Sequence, residues 1–259
     1  MRYILHSVTA AAVMVLIPAI AQAEIVTETV RYSHGEQAFE GYAAYNSALG
    51  SEQPTVIIIH DWDGLGDYEK ARAEMLAQAG YAAFAVDLFG AGVRPQSIER
   101  RRELTNALYA DRDRMRALME SGLDAADNQS AIGADTAVAI GYCFGGAAAL
   151  EWARSGADLE GFVSFHGGLA TPDGQTYEQV QAPLLILHGS NDQVAPMSDV
   201  ADLAARLDED SVAYDMEIYG GARHAFTDWH ASERYDASAD LKSWAAMMDF
   251  LGQALNANN

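Results

Sequence analysis

The sequence predicts an α/β fold, with a mainly parallel central sheet covered by helices on both faces. Apolar runs of strand length alternate with segments of helical periodicity along the 259 residues, which is the pattern of such folds. Several runs, of which 55–59 is the clearest, are apolar or β-branched throughout, as is typical of strands buried on both faces. No linker, repeat or low-complexity tract interrupts the alternation, so residues 24–259 are expected to form a single domain.

The first two strands are segments of alternating polarity and are predicted to form an antiparallel pair. The later strands are continuous apolar runs, which suit a parallel sheet. In chain order, the predicted strands are 24–32, 38–45, 55–59, 82–86, 136–140, 161–165, 184–187 and 212–219. The predicted helices are 68–79, 97–126 with a break near 110–111, 147–153, 197–207 and 237–255. Gly80 is the expected stop of the first helix.

Residues 1–23 have the composition of an export signal. Arg2 supplies a positive charge, residues 8–20 are apolar, and an Ala-Gln-Ala cleavage motif ends at Ala23. The apolar stretch is short for a membrane span and contains Pro18. We therefore expect cleavage near Ala23 and export, in the simplest case to a bacterial periplasm, with no stable membrane insertion afterwards. An uncleaved N-terminal anchor helix is the alternative.

The charge and cysteine content exclude several classes of function. The chain has 37 acidic and 16 basic residues and a formal net charge of −21, so nucleic acid and anionic membrane surfaces should be repelled. A single cysteine excludes an internal disulfide. No zinc or nucleotide motif is present, so neither a metal nor a cofactor is expected. The oligomeric state is left open.

A glycine-rich turn around Cys143 is the strongest sign of chemistry. Gly-Tyr-Cys-Phe-Gly-Gly at 141–146 follows an apolar strand and precedes a predicted helix. This is the pattern of a nucleophile elbow, in which small residues allow a tight, strained strand-to-helix turn. The helix N-terminus would favour a thiolate at Cys143. A buried structural cysteine or a phosphate-binding turn are the alternatives, although the motif lacks the P-loop ending and the GxGxxG spacing.

Two further residues complete a candidate triad with Cys143. Asp192 and His224 each lie in a loop after a predicted strand, where the sites of parallel α/β sheets are found. An ordinary thiol is mostly protonated at neutral pH, and a nearby imidazole can take its proton while a carboxylate fixes the imidazole tautomer. The chain order of nucleophile, acid and base matches that of α/β-hydrolases.

With these motifs, the chain resembles the dienelactone hydrolase (carboxymethylenebutenolidase) family of the α/β-hydrolase superfamily. The matching segments are 60–61, 64–65, 87–90, 141–146, 164–167, 188–192 and 220–226. The resemblance implies an α/β-hydrolase fold and hydrolysis of a small-molecule ester or lactone through a Cys143 acyl-enzyme. His224 would be the base and Asp192 its orienting acid, and no cofactor would be needed.

The resemblance also implies roles for residues around the triad. The backbone N–H groups of Trp62 and Phe144 would form the oxyanion hole, with the Trp62 side chain in the pocket wall. Asp61 stands where the family has a glutamate that holds the resting thiol. Tyr142 and Phe226 are expected to pack around the pocket.

The family's arginine grip on a substrate carboxylate has no clear counterpart. Seven arginines and four acidic residues lie between Arg94 and Arg116, and Arg94 and Arg112 are the best candidates for binding an anionic substrate. A solvated helix face with Arg–Glu and Arg–Asp pairs is the alternative.

Two other functions stay open at this stage. A thioesterase or acyltransferase could use the same triad, and a catalytically silent domain of this fold could bind a ligand or partner.

His60, His166 and His188, each at a strand end, are expected to make structural hydrogen bonds.

Overall fold

The computed structural model of the protein describes residues 24–51 and 53–256, with only the backbone of residues 134, 135 and 256. Its strands are β1 (Ile25–His34), β2 (Gln37–Asn46), β3 (Gln53–Ile59), β4 (Ala82–Val86), β5 (Ile132–Tyr142), β6 (Gly161–Phe165), β7 (Leu184–Gly189) and β8 (Tyr214–Tyr219). Its α-helices are α1 (Asp67–Gln78), α2 (Ile98–Ala110), α3 (Arg112–Asp127), α4 (Phe144–Arg154), α5 (Met197–Glu209) and α6 (Ala237–Asn256). A short 3-10 helix, Ser47–Leu49, was not predicted.

The strands form an eight-stranded sheet in the order β1-β2-β4-β3-β5-β6-β7-β8. β1 and β2 form the predicted antiparallel pair, and β2 is also antiparallel to β4. All other neighbours are parallel. The predicted fold class is therefore confirmed, and the carboxyl ends of β3, β5, β6, β7 and β8 lie at one edge of the sheet.

The central strands of the sheet are buried on both faces, as the unbroken apolar runs indicated. Alternate residues of β3 point to opposite sides: Ile57 and Ile59 join one hydrophobic cluster, and Val56 and Ile58 join the other. The first cluster is covered by apolar residues of α2 to α5, and the second by those of α1 and α6. Burying each of these four valine and isoleucine side chains of β3 stabilises the fold by about 1.5–3 kcal/mol.

The predicted start of β8 is two residues too early. The sequence predicts a strand from Val212, but the strand begins at Tyr214. The N–H of Val212 donates to the carbonyl of Leu207 at 2.9 Å, and Ser211 has a φ of 57°. These residues close the end of α5 in a left-handed turn, so Val212 belongs to a helix cap despite its β-branched side chain.

The predicted export signal lies outside the described residues. Among the residues that the structure describes, no helix is both long and apolar enough to span a membrane.

Candidate active site

Cys143 lies at the apex of a sharp turn between β5 and α4. Its backbone has φ 54° and ψ −111°. Residues other than glycine rarely adopt this region of φ and ψ. The N–H of Cys143 donates to the carbonyl of Phe165 at 3.0 Å and to Nδ1 of His166 at 3.2 Å. Surrounding structure therefore holds the strained backbone in place, as is typical of functional sites. The predicted elbow is present.

Two glycines allow this turn to form. A Cβ atom at Gly141 would overlap the carbonyl of Gly145 and lie 2.7 Å from the nitrogen of Gly146. A Cβ atom at Gly145 would overlap the carbonyl of Ile59 and lie 2.6 Å from that of His60. Gly145 thus brings the start of α4 against the backbone that follows β3.

Gly145→Ala is expected to destabilise the fold and to abolish activity, because its methyl group can only be accommodated by moving backbone. A loss of about 3 kcal/mol or more in the free energy of unfolding is expected, measurable by denaturant titration. Gly220→Ala is the matched control: Gly220 has no positive φ, and a Cβ there meets no atom within 4 Å. Equal effects of the two substitutions would contradict this account of the elbow.

The structure brings the three predicted triad residues together. Nε2 of His224 lies 3.0 Å from Sγ of Cys143, and Nδ1 of His224 donates to Oδ2 of Asp192 at 2.9 Å. Oδ1 of Asp192 accepts the backbone N–H groups of Val194 and Ala195 at 2.8 and 3.1 Å. The loops after β7 and β8 thus orient one imidazole between a thiol and a fixed carboxylate.

Electrostatics favours a charged imidazole in this arrangement. Burial lowers the pKa of His224, but its hydrogen bonds to Asp192 and Cys143 outweigh that effect and raise the pKa to about 10. Burial raises the pKa of Asp192, but His224 and the N–H groups of Ala195 and Val194 outweigh it and hold the pKa below its usual value. At neutral pH, His224 therefore carries a proton and Asp192 does not.

The thiol opens into a cavity of about 400 Å³. Trp62 and Phe144 line this cavity beside Cys143 and His224. Within residues 24–51 and 53–256, no atom accepts a hydrogen bond from the backbone N–H of Trp62 or of Phe144. Two residues with unpartnered backbone N–H groups therefore line the cavity beside the thiol. Free N–H donors near the nucleophile are what an oxyanion hole requires.

The profile of the dienelactone hydrolase family matches residues 39–255. The chain belongs to this family. It is therefore a hydrolase on an α/β-hydrolase fold, as the motifs predicted.

Individual relatives agree with this family assignment. A "Putative carboxymethylenebutenolidase" of Synechocystis sp. is 27% identical over 232 residues, which cover 84% of this chain and 93% of that protein. A dienelactone hydrolase-like promiscuous phosphotriesterase from metagenomic libraries has a solved structure that is 30% identical, with a TM-score of 0.84. The match covers 90% of this chain and 99% of that one. A structure described as m3DLH is 33% identical, with the same TM-score, over 89% of this chain and 99% of the other.

In this family member, Asp61 lies in the cavity wall but does not bond to the thiol. Its Oδ1 accepts the N–H of Asp63 at 2.7 Å, whereas the thiol faces His224. Carboxylate oxygens of Asp61, Asp63 and Glu69 lie within 4.8 Å of one another. Burial, then the bond with Asp63 and the charge of Glu69, raise the pKa of Asp61 well above its usual value. The thiol-holding role of Asp61 stays a prediction.

The two arginines predicted to bind substrate do not line the cavity. Arg94 donates to the carbonyl of Val93 at 2.8 Å. Arg112 pairs at 2.6 Å with Glu151, a fully buried carboxylate that Arg116 and Arg154 also neutralise. A buried charge must be paired, so Arg112 and Arg116 of the basic segment serve this ion cluster.

Other arginines take the predicted place at the cavity. Arg101 and Arg102 from α2 and Arg234 from the loop before α6 line its wall. Arg101 lies 3.6 Å from Asp63 and stacks over the Trp62 ring at 5.4 Å. The cluster of basic residues in α2 could have indicated Arg101 and Arg102 from the sequence. No pattern marks Arg234, because its position depends on the path of the loop after His224.

Tyr142 and Phe226 lie beneath the site rather than around the cavity. The ring of Tyr142 stacks on Phe165 at 4.7 Å, and that of Phe226 packs against His166 at 5.2 Å. Both are fully buried and neither lines the cavity, although they were expected to pack around the pocket. They support the backbone from which Cys143 and His224 project.

The three strand-end histidines make the structural hydrogen bonds that were expected. Nε2 of His188 lies 2.8 Å from the carbonyl of Ala195 and braces the Asp192 loop. His166 accepts the Cys143 N–H, so its proton is on Nε2, which donates to Oγ1 of Thr227 at 2.7 Å. Burial, and then the neighbouring His224, lower the pKa of His166 well below its usual value, which keeps it neutral.

Sequence reasoning missed the polar network that continues below His166. Thr227 bonds to the hydroxyl of Tyr68 at 2.7 Å, and Tyr68 accepts from Arg72 at 3.2 Å. Arg72 is buried, pairs with Asp240, and has aromatic rings around its guanidinium group. Arg72 lies on the buried face of α1, where its charge interrupts the apolar pattern. That interruption could have indicated the polar network from the sequence.

Proposed function

We propose that this protein hydrolyses an ester or lactone through an acyl-enzyme on Cys143. The observation that carries the proposal is the position of His224, which bridges Sγ of Cys143 at 3.0 Å and Oδ2 of Asp192 at 2.9 Å. A nucleophile, a base and an orienting group within hydrogen-bond reach are what covalent catalysis needs.

The mechanism follows from the protonation of this set. The Cys143 sulfur, facing the His224 imidazolium, attacks the substrate carbonyl and forms a C–S bond. The tetrahedral intermediate then expels the alkoxide or enolate, which takes the proton from Nε2 of His224. The neutral imidazole next removes a proton from water, and the resulting hydroxide attacks the thioester. The C–S bond breaks, and the acid product leaves the sulfur beside a protonated His224 again.

The oxyanion of each intermediate would be stabilised by the N–H groups of Trp62 and Phe144. Both border the cavity beside Cys143 and have no acceptor in the described part of the chain. Donors that are already oriented need no rearrangement as charge develops, and each contributes about 3–4 kcal/mol of transition-state stabilisation.

Two unpaired guanidinium groups in the cavity wall could bind a substrate that carries a negative charge. The guanidinium groups of Arg102 and Arg234 have no ion-pair or hydrogen-bond partner among the described residues, and both line the cavity. Arg101 is already occupied by Asp63 and Trp62. Free guanidinium groups bind carboxylates well, because their geometry permits two parallel hydrogen bonds.

The proposed activity is tested by hydrolysis of p-nitrophenyl acetate and of a dienelactone by the mature chain. Turnover of at least one substrate above the buffer rate is expected. Absence of turnover on both, with the Cys143 thiol shown by titration to be free, would overturn the proposed function and favour a binding domain.

Substitution of Arg102 or Arg234 by glutamine tests the charge preference. Each change should raise KM for an anionic ester, mono-p-nitrophenyl succinate, by about three- to tenfold and leave KM for p-nitrophenyl acetate unchanged. Arg100→Gln is the matched control, since Arg100 is on the same helix but pairs with Glu103 at 2.7 Å. Equal shifts for the charged and neutral esters would contradict an anion-binding role.

Export is a separate proposal that rests on the composition of residues 1–23 alone. A mature chain that begins at Glu24 in the periplasmic fraction would support it, and a retained leader would overturn it.

A further inference from the structure

The peptide that joins Asp61 to Trp62 is held from its carbonyl side by a buried histidine. Nδ1 of His60 lies 2.6 Å from the carbonyl oxygen of Asp61. That carbonyl belongs to the same peptide unit as the N–H of Trp62, the first of the two unpartnered donors at the cavity. His60 therefore contacts the carbonyl end of the peptide unit whose N–H belongs to Trp62, a residue of the cavity wall.

The tautomer of His60 is fixed by its second nitrogen. Nε2 accepts the backbone N–H of Leu88 at 3.1 Å, so it carries no hydrogen. In a neutral imidazole the hydrogen is then on Nδ1, which donates to the carbonyl of Asp61. Burial lowers the pKa of His60, which keeps the ring neutral. The ring also packs against those of Phe89 and Phe144, with centroids at 4.6 and 6.1 Å.

Peptide geometry converts this contact into a direction for the Trp62 N–H. The described residues contain no cis peptide bond, and in a trans peptide the C=O and N–H bonds point in opposite directions. A carbonyl that is held towards His60, which has no exposed surface, therefore directs the Trp62 N–H away from the interior. Trp62 itself lines the cavity on that side.

The flanks of this peptide are fixed by a second buried side chain. Oε2 of Glu69 accepts the N–H of Gly66 at 2.8 Å, and Oε1 accepts the N–H of Asp61 at 3.4 Å. Glu69 is in the first turn of α1 and is almost fully buried. The loop is thus anchored at both ends, and the direction of its Asp61–Trp62 peptide is set by His60.

We propose that His60 is a positioning residue of the oxyanion hole, which aims the Trp62 N–H at the cavity through a hydrogen bond to the Asp61 carbonyl. The hydrogen bond also withdraws electron density from that carbonyl, which makes the Trp62 N–H a stronger donor. This inference rests on the proposed Cys143 acyl-enzyme, since only a reaction that forms an oxyanion depends on that N–H.

The test compares two His60 variants in two reactions. His60→Phe keeps a ring against Phe89 and Phe144 but has no hydrogen to donate. His60→Asn has an amide nitrogen near the place of Nδ1 and can donate to the Asp61 carbonyl. For hydrolysis of p-nitrophenyl acetate, kcat should fall about 10- to 100-fold in His60→Phe, with KM little changed, and His60→Asn should recover most of that loss.

The second reaction is alkylation of Cys143 by iodoacetamide. It is a displacement at a saturated carbon and forms no oxyanion, so its rate should be the same in both His60 variants as in wild type. A defect in acyl transfer without a defect in alkylation locates the damage in the oxyanion hole, because a purely structural disturbance of Cys143 and His224 would slow both reactions.

Gln53→Leu is the matched control for loss of a buried polar group on the same strand. Gln53 stands at the other end of β3, where its amide bonds to backbone groups of Asn46 and Gly50 at 2.9 to 3.2 Å. This variant should lose stability but keep the wild-type kcat.

Four results would count against the proposal. Equal kcat values in His60→Phe and His60→Asn, or alkylation rates that fall in step with kcat, would overturn the positioning role. If His60→Phe does not fold, a loss of more than about tenfold in kcat of His60→Asn with normal alkylation would do the same. Wild-type protein that is alkylated at Cys143 but hydrolyses no ester would instead overturn the proposed function, and this inference with it.

Discussion

Cys143→Ala is expected to lower kcat for ester hydrolysis by about 10⁴-fold or more, to the residual rate that binding and the oxyanion hole provide. The substitution removes the atom to which the acyl group is transferred, while His224, Asp192 and the two N–H donors stay in place. Steady-state hydrolysis of p-nitrophenyl acetate by the two proteins measures the effect.

The alanine variant should fold normally, because the strained backbone at residue 143 is held by hydrogen bonds of its own N–H to Phe165 and His166. Its thermal unfolding midpoint therefore serves as the control. A folded variant that retains more than about one tenth of the wild-type kcat would show that another group is the nucleophile.

Asp192→Asn is expected to lower kcat by about 10³- to 10⁴-fold. An asparagine oxygen can still accept the N–H groups of Val194 and Ala195, which leaves its amide NH₂ facing Nδ1 of His224. That contact favours the tautomer with hydrogen on Nε2 alone, so the imidazole can no longer act as a base towards water. The loss of the carboxylate also removes the main interaction that raises the pKa of His224.

Asp210→Asn is the matched control for the Asp192 variant. Oδ2 of Asp210 also accepts a backbone N–H, that of Tyr177, at 2.6 Å, at the end of α5. This change should leave kcat close to the wild-type value. A decrease of less than tenfold in Asp192→Asn would contradict the role of Asp192 as the orienting acid.

Much of the fold and the triad could be predicted because the relevant signals are local. The run 55–59 is apolar or β-branched at every position, so it indicates a strand buried on both faces without knowledge of its partners. The elbow around Cys143 is a contiguous motif. Asp192 and His224 could be placed together because parallel strands bring their carboxyl ends to one edge of the sheet.

The errors concern residues whose partners are distant in the chain. Arg112 could not be assigned from its own helix, because it is bound to Glu151 on α4. Tyr142 precedes the nucleophile directly, yet its side chain points to the opposite side of the sheet from the cavity, as the alternation along β5 dictates. The contact of His60 with the Asp61 carbonyl could not be predicted from the sequence, because it depends on the path of the loop after β3.

The most direct test of the account is mass spectrometry of the protein quenched in acid during hydrolysis of p-nitrophenyl acetate. The mechanism predicts a fraction of the protein heavier by one acetyl group, with the added mass on the peptide that contains Cys143, and no such species in Cys143→Ala. Turnover with the acetyl group on another residue, or the same adduct in the alanine variant, would contradict nucleophilic catalysis by Cys143.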